Sequence, residues 1–186
     1  HARARHLLYD AYLATGRAEK SLEEARLQQR MGLQETSAVG GKIRALYHLG
    51  RLDEARSLAR KEIARLEEGD RWRDILRAYV GLMDAAAGDT ARAKRKLSQL
   101  EAPLLRSYVY AALGEVDRTF EALDSLDAEA WQSKAVSVPI RYGVQFNLTP
   151  LRDDPRYEEL IHEANRAWGL QPDGSFPSTS DTESDE

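Results

Sequence analysis

The residues of this sequence that could do chemistry are few and scattered. Gly40-Gly41-Lys42 looks like the end of a phosphate-binding loop, in which backbone N–H groups and a lysine cradle phosphate oxygens. The upstream glycine spacing and the preceding strand are missing, however, and Ile43 follows the lysine where a hydroxyl residue is needed. The segment reads instead as an inter-repeat turn that opens a helix. His1, His6, His48 and His162 stand singly, with no pair at the i, i+4 spacing that puts two imidazoles on one helix face to hold zinc. Glu23/Glu24, Glu67/Glu68 and Glu158/Glu159 are adjacent carboxylates. Such neighbours point in different directions on a helix, which makes them solvated surface and not a general acid–base pair. No catalytic, cofactor-binding or metal-ligating residue is expected.

Charge is unevenly distributed. Arg92, Lys94, Arg95 and Lys96 form the densest basic run, while Asp173, Asp181, Glu183, Asp185 and Glu186 put five negative charges after residue 170 with no basic residue among them. Of the formal charge of −4, residues 1–170 therefore carry about +1. Nucleic-acid binding depends on a concentrated basic surface, so a nearly neutral body argues against it as the main role. The basic run reads as a solvated helix face. The chain has no cysteine, which removes disulfides and thiolate metal sites and suits a cytoplasmic location. No apolar stretch approaches the roughly 20 residues that span a bilayer, so no membrane insertion is expected.

The elements that must position these residues are helices. Among 186 residues, 42% are apolar and 31% charged, Arg, Ala and Leu abound, and there are only 12 Gly and 6 Pro. That composition favours an all-α fold. Four versions of one local pattern recur, each a helical stretch ending at Gly with a small residue five positions later: Gly16/Ser21, Gly50/Ala55, Gly88/Ala93 and Gly114/Thr119. The glycines are 34, 38 and 26 residues apart. Gly can close a helix in the left-handed conformation, and Asp, Glu or Thr beyond it can cap the next helix. The small residue then lets two antiparallel backbones approach. In the second unit Leu52, Ala55, Leu58, Ala59 and Ile63 form the apolar face, and Arg56, Arg60, Lys61 and Glu67 the solvated one.

This pattern resembles the tetratricopeptide repeat family, whose helix pairs of about 34 residues stack into a right-handed solenoid. The resemblance covers residues 4–126 and is strongest where Tyr12, Gly16, Leu22, Leu46, Gly50, Ala55 and Ala59 fall on family-like positions. Ser21 and Thr119 stand where the family usually has Ala, the helix-ending Pro is absent after the first two units, and the last spacing is short. What the resemblance implies is a protein-binding scaffold whose partner, a protein or peptide, lies along the concave face. Carried over by position, that groove falls at His6, Asp10 and Leu13, then Arg44, Tyr47 and His48, then Leu82 and Tyr108. The carboxylate-gripping branch of the family uses Lys and Asn where His6 and Asp10 stand here, so that activity is not implied.

Three regions are expected: four helix pairs over 1–126, an irregular segment with a capping helix over 127–170, and a disordered acidic tail over 171–186. One short helix is expected near Asp127–Val136. Residues 148–161 resemble the closing segment found after the last repeat in many bacterial tetratricopeptide proteins. Asp154 is placed to cap a helix whose first residue is Pro155, with Tyr157, Leu160, Ile161, Ala164 and Trp168 as its apolar stripe. Similar segments occur in bacterial signalling enzymes such as Ser/Thr kinases and nucleotide cyclases, and in transcription regulators, so a regulatory or sensor region of such a protein is the alternative expectation. The chain begins at His1 and reads as a segment of something longer, whose preceding domains would be partners too.

Overall fold

The computed structural model describes residues 2–33, 35–127, 151–167 and 170, and within its helices the side chains of residues 2–7, 35, 164 and 167 fall outside that description. The described residues are helical, with no strand among them. In chain order the helices are α1 (Ala2–Ala14), α2 (Ala18–Arg30), α3 (Glu35–His48), α4 (Leu52–Arg65), α5 (Arg71–Ala86), α6 (Thr90–Leu97), α7 (Pro103–Ala112), α8 (Val116–Asp124) and α9 (Pro155–Ala167). The short helix expected near Asp127–Val136 and the tail over 171–186 lie outside the described residues.

The first helix of each of four helix pairs closes in one kind of turn, which also ends α2 at Gly32, where φ is 66° and the Leu33 N–H donates to the Gln28 carbonyl at 3.1 Å. Gly16, Gly50, Gly88 and Gly114 have φ of 69°, 70°, 80° and 72°, the left-handed region that a Cβ would strain. The residue after each glycine donates its N–H to the carbonyl five residues back: Arg17 to Tyr12 at 2.8 Å, Arg51 to Leu46 at 2.9 Å, Asp89 to Asp84 at 2.9 Å and Glu115 to Tyr110 at 3.0 Å. This bond satisfies a carbonyl that the last helical turn leaves without a partner. The side-chain caps are less regular. Asp89 accepts from the N–H of Arg92, whereas Arg17, Arg51 and Glu115 make no side-chain cap bond.

The small residue five positions after each glycine is fully buried in all four pairs. Where it is not Ala, its hydroxyl is accommodated: Ser21 Oγ donates to the Tyr9 carbonyl at 3.0 Å, and Thr119 Oγ1 to the Glu115 carbonyl at 2.9 Å. Consecutive helices from α1 to α8 pack on one another, and the first helices of the pairs, α1, α3, α5 and α7, also pack in series. A main apolar core runs through α1–α5 into α7 around Leu22, Ile43, Leu76 and Met83. A second cluster joins α7 and α8 to α9 through Phe120, Leu123, Leu151 and Leu160. The Asp154 carboxylate accepts from the N–H of Arg156 at 3.0 Å, which gives α9 the cap its sequence promises.

Two expectations are corrected. Gly40-Gly41-Lys42 is no turn: it lies inside α3, which begins at Glu35. The glycines serve close packing, since a Cβ at residue 40 would meet Trp72 Cζ3 at 3.2 Å and one at residue 41 would meet three ring carbons of Tyr9 at 3.2–3.3 Å. Arg56 does not belong to a solvated face. It reaches from α4 to the buried Asp84 of α5, with Nε 2.9 Å from Oδ1, while Asp53 holds its other edge at 2.8 Å. A buried carboxylate needs a cation beside it, and the interhelix geometry supplies Arg56.

Candidate functional site

Asp10, Arg44, Leu82 and Tyr108 each stand six residues before a turn glycine, so the repeated turn brings them to equivalent places on α1, α3, α5 and α7. These four first helices pack side by side, and the equivalent places form a row across them. The row begins with the polar pair Asp10 and Arg44, passes the apolar Leu82 and ends at Tyr108, and it is largely buried. Arg44 Nη1 lies 2.7 Å from Asp10 Oδ1, with the two side chains only 5% and 12% exposed. The Arg44 guanidinium stands over the Tyr9 ring, 5.1 Å from its centroid. Tyr9 Oη in turn lies 3.1 Å from Ser37 Oγ. Tyr79 of α5 and Tyr108 of α7 are buried alongside.

The electrostatics follow from that burial. Removal from water works against the Arg44 cation, but Asp10 and the surrounding phenols outweigh it and hold its pKa above the ordinary arginine value. Burial pushes the Tyr9 phenol up to about 12, against the pull of Arg44 and the bond to Ser37. Tyr79 and Tyr108 are raised by burial as well. At neutral pH Arg44 is therefore a cation among neutral phenols. Paired with Asp10, it can fix the angle between α1 and α3.

The eight residues expected to line a groove divide by exposure. Leu13, Arg44, Leu82 and Tyr108 are buried and present almost no surface to a partner, and Asp10 is mostly covered by its ion pair. Tyr47 is partly exposed and His48 exposed, their rings edge to face with centroids 5.6 Å apart. His6 lies in α1, and its side chain is outside the described residues. No family model, curated protein or solved structure matches this chain.

Sequence reasoning missed Tyr9, Ser37 and Tyr79, which complete the cluster around Arg44. A signal was present: Tyr9 precedes Asp10 in the same helical turn, and an aromatic beside one partner of an inter-unit ion pair is a natural lid for the guanidinium. Among the described residues no three His, Asp or Glu side chains converge to hold a metal ion, and no helix is long and apolar enough to cross a membrane.

Proposed function

We propose that the chain is a tetratricopeptide-like scaffold, a solenoid of antiparallel helix pairs with a C-terminal capping helix. In this reading it binds a protein or peptide partner and performs no chemistry on it. The observation that carries the reading is four helix pairs that share one turn with its backbone bond, a buried small residue five positions after the glycine, and first helices stacked on first helices. Units that touch mainly their neighbours build an extended surface, which is what such scaffolds offer to a partner. Tyr47 and His48 supply aromatic surface beside the buried row, the kind of contact that is enriched at interface centres.

Panning a random-peptide display library against the full chain tests this. The expected result is a set of peptides whose Kd, measured by calorimetry, rises about tenfold or more in the Tyr47→Ala/His48→Ala chain, with the thermal melt unchanged. A library that yields no binder, or binders indifferent to both substitutions, would overturn it.

A further inference from the structure

Helix α6 carries four cations and no acidic residue, and its inward positions Ala93 and Leu97 turn that charge toward solvent. Arg92 is partly neutralised by Asp89 at 3.2 Å, and Lys94 by Glu115 at 3.0 Å. Among the described residues Arg95 and Lys96 make no ion pair, and the Lys96 ammonium donates to Gln99 Oε1 at 3.3 Å. The basic surface continues onto α7 and α8. Arg106 and Arg118 both stand over the Tyr110 ring, 5.7 and 5.8 Å from its centroid, and Arg106 Nη2 donates to Tyr110 Oη at 2.9 Å. Glu115 is shared by Lys94 and Arg118. Six cations thus face two carboxylates, and two of the guanidinium groups are held in place by an aromatic ring, which lowers the entropy lost when they bind an anion.

The complementary charge is in the same chain. The last described residue, Leu170, is buried, and the sixteen residues after it carry five carboxylates and no cation. That segment leaves α9, which is tied to α8 by the Arg156–Asp117 pair at 2.8 Å. Sixteen residues span at most about 55 Å when extended. Because the segment is tethered, its effective concentration at α6 is on the order of millimolar without any partner. Each exposed ion pair is weak, so several must act together.

We infer that the face formed by α6 with Arg106 and Arg118 is the docking surface for this chain's own acidic residues 173–186. The proposal is independent of the peptide groove around Tyr47 and His48. An acidic stretch on another molecule would have to displace the tethered one.

The chain has no cysteine, so a nitroxide on Ser184→Cys labels the acidic segment alone. In the 15N-labelled full chain at low salt, the expected result is paramagnetic broadening confined to the amides of residues 90–99 and around Arg118. It should be lost in the Lys94→Gln/Arg95→Gln chain and in 0.5 M salt, where the Debye length shrinks to a few ångströms. No broadening would overturn the proposal, as would broadening spread evenly or centred on another set of cations such as Arg26, Lys42 and Lys61, where the two neighbours act on the Lys42 charge. Mixing spin-labelled unenriched chain with unlabelled 15N chain separates the sources. Broadening of equal strength in that mixture would assign the contact to a second copy and overturn the intramolecular form. An oligonucleotide that binds the wild-type chain and the Asp181→Asn/Glu183→Gln/Asp185→Asn chain with equal affinity would mark the face as open, and would overturn it too.

Discussion

Arg44 and Arg156 share two kinds of contact in different surroundings, and Arg156 adds a second carboxylate, Asp154, at 2.8 Å. Each stands over an aromatic ring, Tyr9 at 5.1 Å and Phe120 at 4.2 Å, and each pairs with an aspartate on another helix, Asp10 at 2.7 Å and Asp117 at 2.8 Å. The difference is water. The first pair is 5% and 12% exposed, the second 44% and 84%. A buried pair that loses one member strands a charge in a poorly polarisable interior, whereas solvent replaces a lost exposed partner almost in full. Distance alone would rate the two interhelix pairs alike, and burial separates them.

The largest effect should come from breaking the buried pair. Arg44→Met is expected to lower the unfolding free energy by about 3–5 kcal/mol in urea titrations, and Arg44→Met/Asp10→Leu to recover most of it. A single substitution losing under about 1 kcal/mol would place Arg44 with Arg156.

Alkaline pH probes the same region. The folded value for Tyr9, about 12, lies above its unfolded value of 10.0. The unfolded chain therefore loses that proton first, so the stability is complete below pH 10 and declines until pH 12. The slope contributed by Tyr9 is at most about 1.4 kcal/mol per pH unit, and Tyr9→Phe should remove that share.

A smaller effect is expected at Gly41. A methyl group there gains about 1 kcal/mol of helix propensity but overpacks the Tyr9 ring by about 1–3 kcal/mol. The expected outcome for Gly41→Ala is a net loss of about 1 kcal/mol in the same titration, relieved when combined with Tyr9→Leu. The smallest change belongs to the exposed region. Hydrogen bonds from the Arg156 side chain and N–H hold Asp154 at about 2, so its contribution is present above pH 4 and lost as the pH falls through 2. Salt should erase that dependence, and Arg156→Met should leave the neutral-pH melt unresolved from wild type in 0.5 M salt.

The turns were readable in the sequence because their cause is local. A glycine, the residue after it and a small residue five places on lie within one short stretch, and Gly16/Ser21 through Gly114/Thr119 all form as expected. The α9 start at Asp154-Pro155 was readable for the same reason. Arg44, Arg56 and Gly40-Gly41 were not, because their partners Asp10, Asp84, Trp72 and Tyr9 lie 28 to 34 positions away. A charged residue whose one visible neighbour is an exposed aspartate, as Asp53 is for Arg56, looks solvated, and a glycine pair with no visible ring beside it looks like a turn. Of the candidate groove, Tyr47 and His48 could be placed on the surface from helical phase, while the burial of Arg44 and Tyr108 depended on contacts between first helices.

The missing side chain at residue 41 works as a gauge. With no Cβ there, the separation of α1 from α3 is set by the thickness of the Tyr9 ring. Neither residue can change size without shifting a helix axis, so descendants of this sequence should replace 9 and 41 together, a larger residue at one matched by a smaller residue at the other.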